Sequence, residues 1–88
     1  MVKHFIIDTD TAGDDAISIL LALKWPDVKV DAITIVCGNV DFDQQVENAL
    51  YTVEQFASYH VPVYPGARRP LLMRNWKYAD YVHGKDGM

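Results

Sequence analysis

Four aspartates, Asp8, Asp10, Asp14 and Asp15, lie between positions 8 and 15 with no basic side chain among them. Carboxylates packed this closely repel one another strongly unless a cation or a proton compensates them, and hard cations such as Ca2+ and Mg2+ bind through such clusters of oxygen ligands. Asp8 and Asp10 are two apart, so an extended backbone directs both carboxylates to one side. Gly13 then lets the chain turn, and Asp14 and Asp15 begin the next element. An Asp at a helix start also caps free amides and complements the dipole, which accounts for Asp14 or Asp15 without any ligand. It does not account for Asp8 and Asp10. The cluster reads as a divalent-metal site.

The charge balance points the same way. The chain has 12 acidic and 8 basic residues, a net charge of −4, and outside positions 8 to 15 acids and bases balance. The whole acidic excess therefore sits in one loop. That argues against a nucleic-acid phosphate surface, which needs a basic stripe. The single cysteine, Cys37, has no partner for an intramolecular disulfide and reads as a small buried residue of a reduced, intracellular protein. Too few apolar residues precede Asp8 for a signal peptide, and the apolar run Ala16 to Leu23 is far short of a membrane span. These features lead us to expect a cytoplasmic protein with no membrane partner. With 50% hydrophobic and 23% charged residues the composition is globular. A chain this short forms one small domain and buries roughly 60 to 65% of its unfolded surface.

The elements that must position the aspartates follow from periodicity. His4 to Asp8 is an apolar run ending in acid, as expected for a buried strand that opens into a site. Asp14 to Lys24 is apolar almost all round and stops at Trp25-Pro26, which predicts a buried helix. Val28 to Val36, rich in β-branched residues, predicts a second strand, closed by Cys37-Gly38-Asn39. From Gln44 to Tyr59, Val46, Ala49, Leu50, Val53, Phe56 and Ala57 recur at helical spacing, with Asp41 or Asp43 available as the cap. Val61 to Tyr64 predicts a short third strand before Pro65-Gly66. The order β-α-β-α-β implies an α/β fold, a Rossmann-like parallel sheet with flanking helices and right-handed crossovers. Ligands of such sheets bind beyond the carboxyl ends of the strands. The aspartates, Asn39 and the segment reaching His83 all fall on that edge.

Three other motifs compete for the acidic cluster. An EF-hand loop starting at Asp8 needs an oxygen ligand where Ala12 stands and Glu where Ile19 stands. A receiver domain needs a phosphorylatable Asp ending the third strand, and Val61 to Gly66 contains none. A haloacid-dehalogenase-type Mg2+ phosphatase also opens with an apolar strand and Asp-x-Asp, but puts Thr or Val at the position of Ala12 and has no need of Asp14-Asp15. It is the alternative reading.

The motif Ile6-Ile7-Asp8-Thr9-Asp10-Thr11-Ala12-Gly13-Asp14-Asp15-Ala16 resembles the amino-terminal signature of the inosine-uridine preferring nucleoside hydrolases, an apolar strand followed by Asp-x-Asp-x-x-x-Asp-Asp-Ala. Many members have Pro-Gly after the second Asp, where this chain has Thr11-Ala12-Gly13. Val36-Cys37-Gly38-Asn39-Val40 resembles the family's Gly-Asn-Val segment, and His83-Gly84-Lys85-Asp86-Gly87 its His-Gly-x-Asp-Gly stretch. The resemblance spans residues 1–88 but only the first third or so of a typical member, so the chain reads as an amino-terminal fragment of a single nucleoside hydrolase domain, lacking the family's later metal and substrate ligands.

The resemblance implies Ca2+-assisted hydrolysis of the N-glycosidic bond of purine or pyrimidine ribonucleosides, with the fragment alone inactive, or a non-catalytic remnant. By position, Asp10 and Asp15 would ligate Ca2+, Asp10 also taking a proton from the attacking water. Asp8 would be a supporting acid behind them, Asp14 and Asn39 would contact the ribose, and His83 would help the leaving base depart. The family also implies a homodimer or homotetramer, and nucleoside catabolism and salvage as its setting. His4 and His60 lack ligand spacing, Arg68-Arg69 reads as a solvated turn, and Trp76, Tyr78 and Tyr81 read as residues covering a core.

Overall fold

A computed structural model describes residues 1–38 and 40–69. Its element order is β1 (Lys3–Thr9), α1 (Gly13–Lys24), β2 (Val28–Ile35), α2 (Phe42–Phe56) and β3 (Val63–Pro65). The three strands form a parallel sheet in the order β1-β2-β3, the α/β arrangement expected. Parallel pairing brings all three carboxyl ends to one edge, so the Thr9–Gly13 turn, the loop after Ile35 and the chain after Pro65 share it.

The register of β1 on β2 contains one irregularity. Phe5 pairs with Val30 and Ile6 with Ala32, leaving Asp31 as the extra residue of a β-bulge. The neighbouring amides find other partners: the Val30 N–H donates to the Tyr59 hydroxyl at 2.8 Å. Asp31 meets His4 Nδ1 at 3.1 Å on the exposed surface.

Two right-handed crossovers in the same direction place both helices on one face of the sheet, and α1 and α2 pack against each other and against β2. Between them lies the core of Ile19, Leu23, Val30, Ile33, Ile35, Phe42, Ala49 and Val61. Each fully buried aliphatic side chain among these contributes about 1.5 to 3 kcal/mol. The other sheet face, with Ile6 and Tyr64, is open; Ile6 is 71% exposed.

Four elements differ in detail from expectation. Within these residues one face of β1 is uncovered, and on α1 Ile17 and Leu21 are exposed while Ile19 and Leu23 are fully inside. On helix α2 the expected Ala49 is in the core with Val46, Val53 and Ala57 packed against it, but Leu50 and Phe56 are exposed and the buried residues also include Phe42, Gln45, Asn48 and Thr52. Strand β3 begins at Val63, two residues later than expected, because Val61 is drawn into the core. Pro26 does stop α1, whose C-cap is Trp25. Among the described residues no helix is long and apolar enough to cross a membrane.

Candidate active site at the carboxyl edge of the sheet

Strand β1 ends at Thr9, and alternation puts its side chain on the helix-covered face, 6% exposed. There the Thr9 hydroxyl donates to Asp15 Oδ2 at 2.7 Å and accepts the Thr11 N–H at 3.0 Å. One hydroxyl thus ties the strand end, the turn and the first turn of α1 together. The residue in the left-handed region is Thr11, with φ 45°, rather than Gly13, which is the first residue of α1. Proline, locked near −65° and lacking an N–H, could not make this turn. The Thr11-Ala12-Gly13 departure from Pro-Gly is therefore a different closure of the loop.

Asp15 is half-exposed at the first turn of α1, and its carboxyl group is in hydrogen-bond contact with the Asp10 side chain. Burial pushes the Asp15 carboxyl up. The Asp10 side chain, the Thr9 hydroxyl and the Asp10 and Ala12 amides outweigh that and hold it below the usual carboxylate range. The capping expectation for the acids takes an unusual form, since α1 has Ala12 as N-cap with no side-chain cap. Asp15 serves the turn's amides from inside the helix instead.

Two carboxyl groups this close require a proton or a cation between them. The pair offers a hard cation adjacent oxygen ligands, one of them set up to stay ionised, and so fits Ca2+ chemistry. No group of three or more His, Cys, Asp and Glu side chains able to hold a metal occurs among the described residues. Two carboxyl groups alone are fewer than the roughly six to eight oxygens a hard cation such as Ca2+ takes.

The other predicted residues are distributed around it. Asp8 is exposed on the open face of β1, where Thr34, its register partner on β2, donates to Asp8 Oδ1 at 2.8 Å. It borders the same groove between β1 and α1 as Thr9 and Asp15. Asp14 is exposed at the start of α1. Asn39 and His83 lie outside the described residues, as do Trp76, Tyr78 and Tyr81. Arg68 does sit on the surface, where it pairs with Asp43 at 2.8 Å and lies 5.0 Å over the Phe42 ring.

Sequence reasoning missed four residues. Thr9 stands inside the motif as a spacer, Gly38 belongs to the turn after β2, and Gln45 and Asn48 lie between the apolar positions of α2. Gly38 is buried, and a Cβ there would overlap the Asp10 side chain. Gln45 donates to the Val36 carbonyl and Asn48 Nδ2 to the Thr11 carbonyl at 3.3 Å. Buried amides at i and i+3 on a helix are costly without partners, and that spacing was the available signal.

The family model for inosine-uridine preferring nucleoside hydrolase matches residues 5–88. The chain belongs to that family. Among curated relatives of this nucleoside hydrolase chain, it is 44% identical over 85 residues to the non-specific ribonucleoside hydrolase RihC of Salmonella agona, covering 97% of this chain and 27% of that protein. It is 40% identical over 88 residues to uridine nucleosidase 1 of Arabidopsis thaliana, covering 98% of this chain and 26% of that protein. Its fold is similar to a solved plant nucleoside hydrolase, PpNRh1, with TM-score 0.86, 40% identity and 99% of this chain covered against 28% of the other. An inosine-guanosine nucleoside hydrolase gives TM-score 0.81 and 41% identity, with 96% of this chain covered against 26% of that one. The chain thus spans about a quarter of the length of the relatives it matches.

Proposed function

We propose that this chain contributes the metal-facing and ribose-facing edge of a nucleoside N-ribohydrolase, which cleaves the N-glycosidic bond of purine or pyrimidine ribonucleosides to free base and ribose. The observation that supports this reading is a strand-to-helix junction at which the Asp10 side chain abuts Gly38 and Asp15 is tied to Thr9 at 2.7 Å, in a chain of the nucleoside hydrolase family.

Ca2+ is the proposed ion, held by Asp10 and Asp15, and when bound it would orient the attacking water and increase its acidity. Asp10 accepts the proton that the water gives up. Asp14, exposed beside the pair, and Asn39, next to the Gly38 that abuts Asp10, contact the ribose hydroxyls. Asp8 adds supporting negative charge from β1. Cleavage at the anomeric carbon develops oxocarbenium character, and concentrated carboxylate charge beneath the ribose stabilises it. His83 assists departure of the base. The proposed setting is cytoplasmic nucleoside catabolism and salvage by a homodimer or homotetramer.

Incubating full-length protein separately with inosine, uridine and p-nitrophenyl phosphate tests the reading. Free ribose from either nucleoside is the expected product. Phosphate release from the ester with no ribose from either nucleoside would refute it.

A further inference from the structure

Thr11 is fully buried at φ 45°, a conformation that is costly for a β-branched residue and persists only when its surroundings hold it. The turn that carries Asp10 therefore depends on its neighbours, and two amides of α2 supply the support. Asn48 Nδ2 donates to the Thr11 carbonyl at 3.3 Å, and Gln44 Nε2 donates to Asn48 Oδ1 at 3.0 Å, which fixes the orientation of the Asn48 amide. One turn earlier, Gln45 Nε2 donates to the Val36 carbonyl, at the head of the loop whose Gly38 abuts Asp10. Gln45 is 0% and Asn48 3% exposed. Apolar side chains there would avoid the cost of burying an amide, but they could not hold both loops.

We propose that Asn48 and Gln45 are positioning residues: together they set the separation of the Asp10–Thr11 turn from the Val36–Gly38 loop, and so the geometry in which Asp10 and Asp15 receive a cation. Neither amide is assigned a contact with metal or substrate. They act through the backbone carbonyls of Thr11 and Val36. The part of the proposal that concerns the cation rests on the metal reading of Asp10 and Asp15; the brace itself does not.

The test is Asn48→Leu in full-length protein, similar in size but without a donor, with Leu50→Ala on the exposed side of the same helix as control. Amide hydrogen exchange should accelerate about tenfold at residues 9–13 while β2 keeps its protection, and the Ca2+ dissociation constant from titration calorimetry should rise about tenfold. Leu50→Ala should change neither. Unchanged exchange at residues 9–13, or acceleration spread evenly through α2 and β2, would overturn the inference. If the substituted protein does not fold, Asn48→Ser, smaller and still polar, carries the same two readouts. Failure of the unsubstituted protein to bind Ca2+ would sink the metal reading, and the exchange pattern would still decide whether the brace exists.

Discussion

The Thr9 hydroxyl donates to Asp15 Oδ2 at 2.7 Å while accepting the Thr11 N–H at 3.0 Å, so a single oxygen locks the end of β1 to the start of α1 on both sides of Asp10. A residue with no acid-base chemistry of its own thereby fixes Asp15 and the turn that carries Asp10.

Thr9→Val keeps the shape and removes the oxygen. The buried Thr11 amide then loses its acceptor and Asp15 loses one donor, which costs about 1 to 3 kcal/mol. Urea denaturation should register the loss, and Thr9→Ser should restore most of it.

Gly38 has no room for a side chain. A Cβ there would overlap Asp10, so Gly38→Ala has to displace either the Asp10 carboxyl group or the loop, at about 1 to 3 kcal/mol. Thermal unfolding should show a lowered midpoint, and calorimetric titration a weakened affinity for Ca2+.

Asp15 sets the acid limb of stability. Its folded-state pKa is lowered from the ordinary value of 3.8, so the stabilisation it contributes is fully present above that value. As pH falls through 3.8 the unfolded chain takes up the proton first, and the contribution is gone once pH has passed the lowered folded value. Asp15→Asn should flatten this limb in urea denaturation series at acid pH; an unchanged acid slope would contradict the assignment.

The legible parts of this molecule were those written in local sequence. β-Branched residues from Val28 onward gave β2, and Pro26 gave the end of α1. What escaped depends on partners distant in the chain. Hydrophobic spacing gave Val46, Ala49, Val53 and Ala57 of the inward face of α2 but not its polar part, because Gln45 and Asn48 are buried for the carbonyls of Val36 and Thr11, the latter 37 residues from Asn48 in sequence. Likewise the turn was assigned to Gly13 on intrinsic freedom, yet Thr9 and Asn48 hold Thr11 in the left-handed region.

The most direct measurement is ribose release from inosine or uridine by full-length Asp10→Asn protein. The substitution keeps the size of the side chain beside Gly38 and Asp15 but removes the carboxylate proposed to hold the cation and take the proton. Turnover should fall on the order of 10³-fold or more, with the fold retained by circular dichroism. Near-normal turnover would contradict the role given to the Asp10–Asp15 pair.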